Sequence, residues 1–200
     1  MHASEQEQAA ARQAREEFRA RIAQVPCERL HFVDETGINL AMARRYGRAL
    51  DGARAHGSVP KNWGENVSVI GSISIDGRMA TMSITGSVDA DAFLVYVEKI
   101  LIPTLRAGDV VVLDNLSVHK DRRIRSAIEG CGARLEFLPP YSPDFSPIEP
   151  CWSKVKTALR AIAARTVDAF DAALTTALAG VTSSDARGWF LHCGYNSKSI

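Results

Sequence analysis

Two apolar runs in this 200-residue sequence end on an aspartate: LHFVD delivers Asp34 and VVVLD delivers Asp114. A third acid, Glu149, lies in LPPYSPDFSPIEPCWSKVK, with four prolines before it and Pro150 directly after. Each has a purely structural explanation. Asp34 precedes Glu-Thr-Gly and Asp114 precedes Asn, both suited to turns. Ser146-Pro147-Ile148-Glu149 matches a capping box, with Glu149 reaching back to the Ser146 amide and proline at the first helical position. Each also has a chemical explanation. A carboxylate after buried apolar residues is costly unless paired, hydrated or metal-bound, and open α/β folds place their sites at the carboxyl ends of strands. Together the three acids suit Mg²⁺, a hard cation that takes few ligands from protein and keeps the rest for water and phosphate. Two such ions about 4 Å apart activate water and stabilise the leaving oxygen of a phosphodiester, with no histidine base or serine nucleophile required. The prolines would set the position of Glu149 before any ligand arrives, as metal ligation demands.

The elements that must carry these acids are legible in the periodicity. Arg29–Glu35 reads as a strand, Thr36-Gly37 as a turn, and INLAMARRYG as the hairpin partner. RALDGARAHGSVPKNWGEN reads as an exposed loop of a length that is often functional. NVSVIGSISI and MATMSIT are strand-like and joined by the hairpin turn Asp76-Gly77. The period then changes: Phe93, Val97, Ile100, Leu101 and Leu105 share a helical face, with Asp89 or Asp91 as cap and Pro103 disturbing the last turn. DVVVLD is apolar without alternation, as a strand buried on both faces should be. A helix over roughly Lys120–Gly130 and a strand at ARLEFLP follow. Trp152, Val155, Leu159 and Ile162 form one helical stripe; Val167, Phe170, Leu174, Leu178 and Val181 form another after the cap Thr166. The N-terminus is a polar, alanine-rich helix whose Phe18 and Ile22 stand four apart, enough to dock on a neighbour. The fold class is α/β, a mixed sheet with helices packed on it, with residues 1–26 as a helical linker and 27–200 as the folded domain.

Lysine and arginine total 24 against 23 acids, so an argument for nucleic acid must come from where the charges sit. On the helix after Glu149, Ser153, Lys156 and Arg160 share its face. With Lys154 they belong to a stretch, Cys151 to Arg165, that holds basic residues and no acid. Arg44, Arg45 and Arg48 form a second basic cluster. Both suit phosphates, and both suit an ordinary solvated face. His119 is a neighbour of the site able to move a proton, or a structural bond. Asn115 bonds DNA or orients Asp114, and Trp63 is a core anchor or a partner contact. The four cysteines are scattered without a C-x-x-C pair, as buried thiols in a reducing compartment are, and supply no zinc set. No apolar run approaches the roughly 18 residues of a membrane span, and the N-terminus lacks the apolar core of a signal peptide.

The strings FVDETGINL, KNWGENVSVIGSIS, VVLDNLSVHK, PPYSPDFSPIEPCWSKVK and the terminal ARGWFLHCGY run in order from about Leu30 to Tyr195. In these the chain resembles the DDE catalytic domain of mariner-superfamily DNA transposases, most closely the bacterial insertion-sequence branch. The resemblance implies a ribonuclease H-like fold with three antiparallel N-terminal strands, further parallel strands and flanking helices. It implies Asp34, Asp114 and Glu149 as catalytic metal ligands, with Mg²⁺ as cofactor, Mn²⁺ able to substitute, and two ions in the active state. The activity implied is cleavage at transposon ends, followed by attack of the freed 3′-hydroxyl on target DNA. The partner implied is double-stranded DNA, near Lys154, Lys156, Arg160, Arg44 and Arg45, bound by a homodimer. A bacterial cytoplasmic location, on the nucleoid when bound to DNA, goes with it. Two departures stand out: Ser146 replaces the family's usual Asn, and these 200 residues leave no room for the family's helix-turn-helix region, as expected of a catalytic half that is either truncated or paired with a separately encoded end-binding half. Two other readings compete. A haloacid-dehalogenase-type phosphatase would use Asp34 as a covalent nucleophile but leaves YSPDFSPIE unexplained. An inactive or domesticated DNA-binding or assembly remnant is countered by retention of all three acids.

Overall fold

A computed structural model of the chain describes residues 8–62 and 64–196, so the reading of Trp63 lies outside the described residues. Strands β1 (Leu30–Asn39), β2 (Asn66–Ile73), β3 (Met79–Thr85), β4 (Val110–Leu113) and β5 (Arg134–Phe137) form a five-stranded sheet in the order β3-β2-β1-β4-β5. β1, β2 and β3 pair antiparallel, while β4 runs parallel to both β1 and β5. This is the mixed sheet expected, with one correction inside it. Thr36-Gly37 is not a turn. β1 runs straight through, with Thr36 opposite Val69 and Gly37 opposite Ser68, so the hairpin partner read in INLAMARRYG does not form. β2 satisfies these backbone groups instead, and the described residues beyond Asn39, 40–62 and 64–65, lie outside the sheet. The expected turn between β2 and β3 does form: Gly77 sits at φ 82°, where a side chain would be strained, and its N–H donates to the Ser74 carbonyl at 2.9 Å.

Helix α1 (Ala9–Ile22) buries Phe18 and Ile22 against the core, as their spacing predicts. Helix α2 (Ala90–Tyr96) is capped by Asp89, whose side chain accepts from the Ala92 N–H at 2.8 Å. It widens over Val97–Leu101 and ends in a tight turn containing Pro103. Helix α3 (Arg122–Gly130) leads to β5, and α4 (Ile148–Ile162), α5 (Val167–Ala179) and α6 (Ser183–His192) complete the chain. Thr166 caps α5 as expected. Strand alternation separates two cores. Leu30, Phe32, Val110 and Val112 meet Ile148, Trp152 and Val155 of α4, with α1, α5 and α6 around them. Val33, Ile70, Val111 and Leu113 meet Phe93, Tyr96, Ile124 and Ile128 from α2 and α3 on the opposite face. Each such side chain, fully buried, contributes about 1.5–3 kcal/mol. Ile162 is the exception to its stripe: it is 45% exposed, because α4 stops there at a left-handed Ala163. Among the described residues no helix is long and apolar enough to cross a membrane.

Candidate active site beside the end of strand β4

The parallel pairing aligns Leu30 with Val110 and Phe32 with Val112. Two residues further along each chain stand Asp34 and Asp114, neighbours on the sheet. Alternation puts them on the face of Phe32 and Val112, the face that α4 covers. Asp114 follows the last residue of β4, as expected. Asp34 differs from expectation: it lies inside β1, opposite Gly71 of β2, rather than at a strand end. The parallel partner stops beside it, so the carboxyl end of β4 still opens next to both acids.

Glu149 is the second residue of α4, and its carboxylate has no capping duty. The helix is entered through Pro147 with no side-chain cap. The Ser146 N–H that a capping box would use already donates to the Pro143 carbonyl at 3.0 Å, closing a tight turn over Pro143–Phe145. That turn is held from both ends of the chain. Arg15 of α1 grips Asp144 with both terminal nitrogens and donates to Ser142 at 2.8 Å. Phe18 stacks on Phe145 with ring centroids 5.8 Å apart, and the Tyr195 hydroxyl donates to the Phe145 carbonyl at 2.6 Å. One glycine sets how closely α4 approaches the sheet. A Cβ on Gly71 would meet Trp152 Cη2 at 2.6 Å, so only glycine admits that ring beside Asp34.

Charge, rather than contact, links the three acids. Burial and the Glu149 carboxylate, with lesser pushes from Glu35 and Asp114, raise the pKa of Asp34 to about 7. Asp114 goes the other way. Burial works to raise it, but a hydrogen bond from His119 and one from the Leu116 N–H outweigh burial and hold it below the usual carboxylate range. His119 is fully buried between two carboxylates: Nδ1 lies 2.6 Å from Asp114 Oδ1 and Nε2 lies 2.9 Å from Glu35 Oε1. Carboxylates only accept, so the ring donates at both nitrogens. Burial disfavours its charge, yet the two acids lift its pKa to about 9. Among the described residues no group of three or more His, Cys, Asp or Glu side chains is gathered tightly enough to hold an ion as it stands. The donor set nonetheless fits a hard divalent cation: all oxygen, with Asp34 raised by burial and, after it, by the neighbouring Glu149 charge.

The predicted DNA-contact residues separate into groups. Lys156, Arg160 and Arg45 line one cavity of about 380 Å³ with Asn39, Val59 and Pro60. Burial and Arg160 depress the pKa of Lys156 while Glu149 and Asp34 oppose this, so the cations border the acids. Lys154 is instead ion-paired with Asp185, the residue that completes the capping box of α6. Arg44 is exposed on the loop after β1, outside the cavity lining. Asn115 is exposed and bonds to no described residue, so the orientation of Asp114 comes from His119 and Leu116. Glu35 and Gly71 were missed in the sequence. Their only signals were their places next to Asp34 and inside a strand otherwise rich in branched residues.

A family profile described as DDE superfamily endonuclease matches residues 29–171. No curated protein sequence matches significantly. Among solved structures, the Mos1 transposase paired-end complex with left transposon end is similar at a TM-score of 0.66 and 16% identity, over 93% of this chain and 61% of that one. The catalytic domain of Mos1 mariner transposase is similar at a TM-score of 0.64 and 11% identity, over 96% and 90%. The catalytic core domain of BIV integrase is similar at 0.51 and 17% identity, over 84% and 99%. The chain thus spans 61% of the Mos1 chain in the DNA complex and shares its fold, a ribonuclease H-like mixed sheet with flanking helices. By the match across residues 29–171, the chain belongs to the DDE superfamily endonucleases.

Proposed function

We propose that the chain is the catalytic domain of a mariner-superfamily DNA transposase that cuts transposon ends and joins the freed 3′-hydroxyl to target DNA. One observation carries the reading. Register and alternation set Asp34 beside Asp114, and α4 brings Glu149 near enough to add to burial in raising the proton affinity of Asp34. These three residues would hold Mg²⁺ or Mn²⁺, two ions in the active state; the Mos1 paired-end complex is known with each metal. Bound there, the ions supply Lewis-acid activation of water and stabilisation of the leaving oxygen. The residues of this chain do the positioning. Trp152 in the notch at Gly71 docks α4, the clamped turn aims Glu149, and His119 holds Asp114. Lys156, Arg160 and Arg45 form no ion pair with a described acid, and unpaired cations beside the carboxylates suit the phosphates of the cleaved strand.

Double-stranded DNA is the partner that follows, bound by a homodimer. A bacterial insertion-sequence origin and a cytoplasmic, nucleoid-associated location belong to the same reading. The phosphatase reading is set aside, since the family match spans all three acid-bearing segments. A DNA-binding remnant without activity draws on the lack, among the described residues, of a gathered three-ligand group. One experiment separates the two: wild type and Glu149→Gln incubated with terminal-repeat DNA and Mg²⁺ or Mn²⁺. Metal-dependent nicking by wild type, abolished in a variant that still binds DNA, is the expected result. Binding without cleavage in either metal would establish the remnant.

A further inference from the structure

The Asp114 carboxylate has two oxygens with different surroundings. Oδ1 accepts from His119 at 2.6 Å and from the Leu116 N–H at 3.1 Å, whereas Oδ2 accepts from no described residue. His119 is fixed as firmly as its acceptor. It is 0% exposed, its ring lies 4.4 Å from that of Phe93, and its second nitrogen is 2.9 Å from Glu35. Glu35 follows Asp34 on β1, so alternation sends it to the opposite face of the sheet. The chain Glu35–His119–Asp114 therefore passes around the end of β4 and ties the segment carrying one acid to the strand carrying the other.

We propose that Glu35 and His119 are a positioning pair: they saturate Oδ1 of Asp114, so that Oδ2 is the oxygen offered to a divalent cation. This rests on the reading of Asp34, Asp114 and Glu149 as metal ligands and adds two residues that hold one of them. Hydrogen-bonded partners of ligating groups orient them, and losing one costs about 10–100-fold in metal affinity. A carboxylate freed to rotate would suit the strict geometry of Mg²⁺ least, and Mn²⁺ would tolerate it better.

Two substitutions divide the pair. An asparagine places its amide nitrogen near the position of Nδ1, and a glutamine places its own near Nε2. His119→Asn thus keeps a donor for Asp114 and loses Glu35; His119→Gln keeps a donor for Glu35 and loses Asp114. The measurement is melting temperature against Mg²⁺ or Mn²⁺ concentration, without DNA, for wild type, both variants, Glu35→Ala and Asp114→Asn. His119→Gln should raise the half-saturating Mg²⁺ concentration roughly tenfold or more and the Mn²⁺ value by less, while His119→Asn, which keeps the donor to Asp114 and loses only Glu35, should shift it by a clearly smaller factor. Glu35→Ala should shift it in the same direction by a smaller factor and keeps the question open to test if a His119 variant fails to fold. Equal half-saturation in all the His119 and Glu35 variants, with only the metal-free melting temperature lowered, would make the pair merely structural and overturn the proposal. If wild type shows no metal response, or Asp114→Asn responds as wild type does, the ligand reading itself falls and the proposal with it.

Discussion

Lys154 and Lys156 stand two positions apart on one helix and meet opposite surroundings. Lys154 is ion-paired with Asp185, which also accepts from the Thr182 N–H and closes the capping box of α6. Lys156 is half-buried beside Arg160 and Arg45, and burial and those cations hold its pKa below the usual lysine value against the pull of Glu149 and Asp34. An ammonium kept charged among cations is stabilised by an arriving anion, and a phosphodiester is the anion this site would meet. Lys156→Ala should therefore weaken binding to duplex DNA and reduce the slope of log affinity against log salt by about one. Lys154→Ala should leave affinity and slope unchanged and lower the melting temperature instead. Fluorescence anisotropy at several salt concentrations, with thermal melts alongside, checks both; equal losses of affinity would place both lysines on the DNA path.

At the level of elements, the position of α4 decides whether Glu149 can act. Gly71 makes room for Trp152, three residues beyond Glu149 on the same helix. Gly71→Ala should destabilise the fold by about 1–3 kcal/mol through overpacking and reduce metal-dependent cleavage more than DNA binding. Combining it with Trp152→Phe should recover part of both losses, since the two sites share one contact. Additive losses in that double variant would deny the contact. The turn before α4 depends on α1. Hydrogen bonds from Arg15, ahead of the opposing effect of burial, hold the Asp144 carboxyl below the usual range. Its folded-state pKa lies under the unfolded one, so the contribution is complete above the ordinary carboxylate pKa and is lost as pH falls through the folded value. Asp144 is 50% exposed, which limits the gain to under about 1 kcal/mol. Wild type should melt slightly above Asp144→Asn at pH 7, with the gap shrinking as pH falls below the ordinary carboxylate range and gone once pH lies under the folded-state value. A gap that persisted there would show that charge is not what Arg15 contributes.

Across the whole molecule, a formal net charge of +1 conceals a local separation of charge at one place. Asp34 and Asp114 stand where β1 and β4 separate, with Glu149 close enough to act on Asp34 through its charge, and cations without an ion pair to a described acid line the adjoining cavity beside the loop that follows β1. Where such cations meet phosphates, the contact itself carries no sequence information. This chain should therefore bind terminal-repeat and unrelated duplexes with affinities within about tenfold of each other, both falling steeply with salt. Competition binding measures this. A preference of about a thousandfold would reveal base readout that the cavity residues do not supply.

Periodicity in the sequence determined most of the strands and helices, the turn at Asp76-Gly77 and the cap Thr166, and it narrowed the cap of α2 to Asp89 or Asp91. Each of these is settled within a few residues by backbone geometry or by which face is apolar. Three of the motif strings likewise singled out Asp34, Asp114 and Glu149 as candidates, since residue types are written directly in the chain. Only the tertiary structure decided that β1 continues through Thr36-Gly37, because β2 satisfies its backbone groups. It alone showed that Ser146 cannot complete a capping box, because Pro143 takes its amide, that Asp185 claims Lys154, and that Glu35 reaches His119 from far away in sequence. Which donor meets which acceptor, and which charge finds which counter-charge, is a property of the packed arrangement. No local pattern encodes it.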